Sequence, residues 1–139
     1  MKLDINRVDI WVAGIEDRPG GLTEKLRGLA QAGANLEFLL ARCTPEQPGQ
    51  AVVFAAPIKG AKQMKAARGL GFHKSNSLHG IRVIADDKPG LGLVLAQALA
   101  DAGINLRGFS GTAVGKRAVF YVAFDTSVDV GKAMRCLKR

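Results

Sequence analysis

The chain has few of the residues that build reactive centres. Two cysteines, Cys43 and Cys136, and two histidines, His73 and His79, are all that 139 residues supply. The cysteines stand far apart with no clustered partner, so neither a zinc-ligand spacing nor a redox pair can be read; small thiols in a reducing compartment are expected. No acid is placed to orient the histidines, which lie near Ser75 and Ser77, so no catalytic set emerges. We expect a protein that is not an enzyme and holds no metal or cofactor. Long apolar runs are missing too, and none approaches the ~20 residues a membrane helix needs. The opening residues, Met1 to Arg7, contain no apolar core for a signal peptide. A soluble, cytoplasmic protein with no membrane partner is the expectation. Acid is in deficit, 12 residues against 20 basic ones, for a net charge of +8. That admits nucleic acid or another acidic partner, but it bears on solubility and steering rather than fold.

What is present is an internal repeat. Asp17-Arg-Pro-Gly20 opens a helical pattern that closes at Gly33-Ala-Asn35-Leu36, and Asp87-Lys-Pro-Gly90 opens another that closes at Gly103-Ile-Asn105-Leu106. At a constant offset of 70, 9 of the 20 positions from 17 to 36 are identical. A repeat of this kind is settled before the fold is considered. In each copy a proline pre-sets φ for a first helical turn. An apolar stripe follows: Leu22, Leu26, Leu29 and Ala30, then Leu91, Leu95, Ala98, Leu99 and Ala102. A glycine then stops each helix. The copies differ where Leu22 is matched by Gly92.

Around the helices lie strand patterns. Val8 to Val12, Leu36 to Ala41 and Ala51 to Ala56 read as strands, Lys59 to Gly69 as a helix, and Leu70 to Lys74 as a short strand. Cys43 to Gly49, with two prolines and a glycine, is a loop. Ser75-Asn-Ser77 is the one plausible linker. Copy two repeats the order with Ile81 to Ala85, a strand from Asn105, a loop from Gly111 to Lys116, Ala118 to Phe124, and a helix from Val128. Copy one is thus β-α-β-β-α-β and copy two lacks the last strand. The fold class is α+β: two ferredoxin-like units, residues 1–76 and 77–139, each an antiparallel sheet with helices on one face.

Two features ask for cover. Ala51 to Ala56 and Ala118 to Phe124 are apolar on both parities, and Trp11 lies on the parity opposite Val8, Ile10 and Val12. Both sheet faces should be covered, by the sister unit, a second chain or both. The missing strand leaves an edge. Met1 to Ile5 has the alternation to close it, or else simply extends the first strand.

The turns offer ligand chemistry. Backbone N–H groups of Gly20, Gly21 and Leu22, and of Gly90, Leu91 and Gly92, cluster at helix N-termini, whose positive pole suits a carboxylate. Asp17 and Asp87 offer a carboxylate to an ammonium group, and Asn35 and Asn105 supply a donor and an acceptor. An α-amino acid carries an ammonium and a carboxylate on one carbon. A plainer reading stands beside this one: Asp before Pro-Gly serves as an Asx-turn or helix cap, and Asn past a terminating glycine satisfies loop backbone. Gly90-Leu91-Gly92 is no dinucleotide fingerprint, since the third glycine is absent.

Asp-x-Pro-Gly after a first strand, joined to Gly-x-Asn-Leu after the first helix, twice, resembles the ACT domain over nearly the whole chain. The resemblance implies a freestanding tandem of regulatory modules that pair with one another and bind an amino acid effector. It implies a homodimer, and an amino-acid biosynthetic enzyme as a partner in trans. Copy two is the first choice of site, because two glycines flank Leu91. Two alternatives remain: a structural pairing module without ligand, and a basic nucleic-acid-binding protein. The positive charge sits mainly on the second helices, at Lys59, Lys62, Lys65 and Arg68 and at Lys132, Arg135, Lys138 and Arg139. It marks a solvated face, a nucleic-acid patch or a dock for an acidic partner. The strands carry Phe54, Phe120, Tyr121 and Phe124 without the basic-aromatic signature of RNA-recognition modules, which argues against nucleic acid.

Overall fold

A computed structural model of the chain describes residues 2–138, without the side chains of residues 75–78. Met1 and Arg139, which entered the edge-strand and basic-helix expectations, lie outside the described residues. The elements in order are β1 (Asp4–Glu16), α1 (Gly21–Gln31), β2 (Phe38–Cys43), β3 (Gln50–Ala56), α2 (Gly60–Gly69), β4 (His73–Asp86), α3 (Leu91–Asp101), β5 (Gly108–Val114), β6 (Arg117–Phe124) and α4 (Ser127–Leu137). They form two compact units. The first is Asp9–Ser75; the second joins residues 2–8 to residues 76–138. Residues 2–8, grouped with the first repeat on sequence, therefore cluster with the second.

In the first unit the strand order is β2-β3-β1-β4. β3 lies antiparallel between β1 and β2, with Trp11 opposite Ala55 and Leu39 opposite the same alanine. Directly paired residues share a face. Trp11 therefore points to the helix side, where it packs with Ala13, Val53, Ala55, Leu29, Ala67 and Phe72. The Arg68 guanidinium lies over its ring, 5.6 Å from the centroid. The opposite face carries Ile10, Val12, Val52, Phe54 and Leu40; Ile10 is 5% exposed and Leu40 42%.

The second unit has the order β1-β4-β6-β5. Its core is larger. Ile81, Val83, Phe120, Val122 and Phe124 lie under Leu91, Leu95 and Leu99 of α3 and Val130, Ala133 and Leu137 of α4. Ile5 belongs to the same core and Leu3 packs against it. The first five residues of β1 thus stand in the place of the strand that copy two lacks, and they do so as an extension of the first strand. Away from the helices this sheet carries Arg82, Tyr121, Ser110 and Thr112, a more polar face than that of the first unit.

Several expectations change. The two units divide between Ser75 and Asn76, within the stretch expected as the linker, but that stretch is a continuous part of strand β4 rather than a loop. The loop expected from Gly111 to Lys116 shrinks to Gly115 and Lys116, because Val114 pairs with Arg117. Gly115 takes φ +61, the geometry of a two-residue hairpin turn with glycine first. Each proline stands before its helix rather than in its first turn, and the N-caps are Gly20 and Gly90, both left-handed. The stripe in α3 holds at Leu91, Leu95 and Leu99, while Ala102 is exposed. In α1 only Leu29 is fully buried among the expected stripe residues, with Leu22 and Leu26 half-buried and Ala30 exposed. The positions equivalent to Leu91 and Leu95 are Gly21 and Lys25. Lys25 Nζ donates to the Leu70 carbonyl instead of filling a core.

Gly21 is held small by backbone. A Cβ there would stand 2.5 Å from the Glu16 carbonyl oxygen, which has no side-chain freedom to give way. Gly21→Ala should destabilise the chain by about 1–3 kcal/mol, the scale of overpacking. Gly92→Ala, whose Cβ would meet Phe120 at an ordinary 3.7 Å, should leave stability unchanged or slightly raised. Urea unfolding of the two variants checks both.

Candidate functional site

The turns before α1 and α3 are built alike. The N–H of Asp17 donates to Gly49 O at 3.0 Å and that of Asp87 to Lys116 O at 2.8 Å, tying each turn to the neighbouring hairpin. Gly21 N–H donates to Arg18 O and Leu91 N–H to Lys88 O, at 3.1 and 3.2 Å. Gly20 at φ +85 and Gly90 at φ +81 then enter the helices. Neither N-cap supplies a side-chain hydrogen bond. The next amides, Leu22 and Thr23, or Gly92 and Leu93, have no intrahelical acceptor.

The candidate residues separate into groups. Gly21 and Leu91 are buried, and their amides already bond within the turn, so neither presents a side chain to a ligand. Gly20, Gly90, Asp17 and Asp87 are exposed; Leu22 and Gly92 are half-buried. Asn35 and Asn105 are exposed beyond the far ends of the helices. There Gly33 at φ +84 and Gly103 at φ +73 stop the helices, with Ala34 N–H donating to Leu29 O and Ile104 N–H to Leu99 O, both at 3.0 Å. This is the Schellman closure. An 11-residue helix is about 16 Å long. Within one unit the turn and the asparagine therefore stand at opposite ends of a helix and cannot hold the same small molecule.

The plainer roles go unfilled. Among the described residues, the side chains of Asp17, Asp87, Asn35 and Asn105 make no hydrogen bond or ion pair. None of them caps a helix or bonds a loop amide.

The two turns differ in charge. In copy one Arg18 Nε donates to Glu16 at 2.6 Å, and its Nη2 reaches Glu24 at 3.0 and 3.2 Å. These bonds, to Glu16 first and Glu24 next, push the Arg18 pKa up. A cleft of about 490 Å³ is lined by Glu16, Arg18, Gly21, Glu24 and Lys25. A smaller one of about 190 Å³ touches Asp17, Leu22 and Arg42. The helix pole in copy one is thus answered by a carboxylate of its own, Glu24, in the first turn. Copy two has no acidic residue in the first turn of α3. Asp86 is paired with Arg117 at 3.0 Å. The positive pole of α3 therefore has no carboxylate from its own first turn beside it. Sequence reasoning missed this difference, although Glu24 against Val94 at the same repeat position signals it.

Among the described residues no three His, Cys, Asp or Glu side chains group as metal ligands, and no helix is long and apolar enough to cross a membrane. Gly90 also allows a direct test of the turn. A side chain at φ +81 is strained by roughly 1–2 kcal/mol. Gly90→Ala should lower stability by about that amount in urea titration, and Gly20→Ala should match it.

No protein-family model matches the chain, and no curated protein is similar to it in sequence. Solved structures are similar in fold. The protein BT0572 from Bacteroides thetaiotaomicron superposes with a TM-score of 0.77 at 17% identity, covering 98% of this chain and 88% of that one. The regulatory subunit of aspartate kinase from Thermus thermophilus gives 0.68 at 15% identity, over 99% and 96%. The corresponding subunit from Thermus flavus gives 0.62 at 17%, over 99% and 94%. The two ferredoxin-like units that the ACT resemblance implies are the fold of this chain, and that fold is shared along nearly the whole length with regulatory subunits of aspartate kinase.

Proposed function

We propose that this protein is a regulatory module that binds an amino acid or a close analogue and passes the occupancy on through its pairing with a second copy. One observation carries the reading. Asp17, Asp87, Asn35 and Asn105 recur at the same repeat positions, yet their side chains have no partner among the described residues. Groups left unbonded in the free chain are available to a ligand. The likeness of fold to aspartate kinase regulatory subunits supports the same class of function.

The α3 turn is the preferred half-site. The amides of Gly92 and Leu93 receive the ligand carboxylate and Asp87 its ammonium group. The asparagine is contributed by another copy of the chain, because the helix length keeps Asn105 away from its own turn. A homodimer is thereby part of the proposal. An enzyme of amino-acid biosynthesis, acted on in trans, is the partner that such a module serves.

A thermal-shift panel of the twenty amino acids tests the reading, since a ligand of the native state raises its stability. One or a few should shift the melting temperature saturably. Asn105→Ala should weaken that binding by about 1–2 kcal/mol, the scale of one lost hydrogen bond, with no loss of melting temperature in the free protein. Asn35→Ala reports whether copy one is a second site. Sedimentation with and without the active amino acid should show a shift in self-association. If no amino acid moves the wild type, the pairing module without ligand replaces this reading.

A further inference from the structure

Away from the turns, two clefts are lined by the same repeat positions. In the first unit, α1 packs on α2 and the cleft between them is lined by Gly28, Gln31, Ala32, Lys62, Lys65 and Ala66, with a volume of about 440 Å³. In the second unit, the cleft between α3 and α4, about 360 Å³, is lined by the residues seventy positions later at all six places. Each cleft has a floor of small residues and a wall of two cations spaced i, i+3 on the second helix. Such a spacing puts their Cβ atoms about 5–6 Å apart on one face.

The cations are exposed and unspent. Among the described residues none of Lys62, Lys65, Lys132 or Arg135 enters a salt bridge. α2 contains no acidic residue at all. In a chain of net charge +8, four such cations call for an anionic occupant. The floor narrows the choice. Alanines and glycine give an apolar surface on which a phosphate backbone gains nothing, and no aromatic ring lines either cleft for base stacking. Small residues do let a third helix approach closely, as helix packing at 8–10 Å requires.

We propose that the groove of each helix pair docks an acidic amphipathic helix of a partner protein, its apolar side chains on the small-residue floor and its carboxylates on the paired cations. The two grooves are unequal. Asp101, held by Gln97 Nε2 at 2.8 Å, sets a carboxylate on the rim of the second, where the first has neutral Gln31. The α1–α2 groove therefore takes the acidic helix more tightly. The proposal is independent of the amino-acid reading, because the grooves share no residue with the turns.

The test uses the full chain and three labelled probes: a synthetic helix with leucine on one face and glutamate on the other, the same helix with lysine for glutamate, and a single-stranded DNA oligonucleotide. Fluorescence anisotropy should show saturable binding of the glutamate helix, weakened by salt, and none of the lysine helix. Lys62→Glu with Lys65→Glu should cost about tenfold or more in affinity, and Lys132→Glu with Arg135→Glu less. Ala66→Phe, which fills the floor and leaves every charge, should also weaken binding. Circular dichroism verifies folding; if a charge reversal unfolds the chain, Lys62→Gln with Lys65→Gln replaces it. Binding unchanged by both charge reversals, DNA that outcompetes the glutamate helix, or the absence of saturable helix binding would each overturn the proposal. Any amino-acid thermal shift should persist in the charge-reversed variants, which separates failure here from failure of the small-molecule site.

Discussion

The second unit is complete only because the start of the chain enters it. A sheet built from β4, β6 and β5 alone would end in a bare edge of backbone donors and acceptors. Residues 4–8 of β1 stand there, and Ile5 is 8% exposed in a core shared with Phe124, Val130 and Leu137. Ile5 thereby replaces solvent beside residues more than a hundred positions away in sequence. Burying one such side chain contributes about 1.5–3 kcal/mol, and closing the edge adds its backbone hydrogen bonds.

Within that frame the two copies have diverged along one helix face. α3 presents Leu91, Leu95 and Leu99 to its sheet; α1 presents Gly21, Lys25 and Leu29 at the same places. The missing bulk lets α1 begin close against the Glu16 carbonyl, which is why Gly21 admits no side chain. Trp11, in the place of Ile81, supplies volume from the sheet side instead, and Arg68 covers its ring. The divergence reaches the turns. Arg18 bridges Glu16 and Glu24 in copy one, whereas Lys88 in copy two has no such clasp among the described residues. One helix start therefore carries a carboxylate of its own, and the other carries none.

The elements and their repeat were legible, because helix stops, turns and apolar periods are local signals. Gly33 and Gly103 stop their helices as glycines past a helix end do. Val130, Ala133 and Leu137 face inward at i, i+3 and i+7, the spacing of one helical stripe. What escaped was decided by pairing. Ser75, Asn76 and Ser77 are poor strand formers, yet the boundary between the units runs through a continuous β4 there. Pro-Gly is equally consistent with a helix that starts at proline and one that starts after glycine; the left-handed φ of Gly20 and Gly90 selects the second. Of the candidate residues, the separation of turn and asparagine was overlooked, although an 11-residue helix already implies it. The grooves were not legible, since a row of lysines reads as a solvated face until a second helix is packed beside it.

The interleaving of the chain has a consequence for the order in which the molecule can be made. The Asp9–Ser75 unit is contiguous, so its core can assemble as soon as that stretch has left the ribosome. Residues 4–8 precede that unit in the chain, yet their packing partners Phe124, Val130 and Leu137 lie more than a hundred residues further on. A circular permutant that places residues 2–8 behind α4 would make both units contiguous and shorten the loop that the second core has to close.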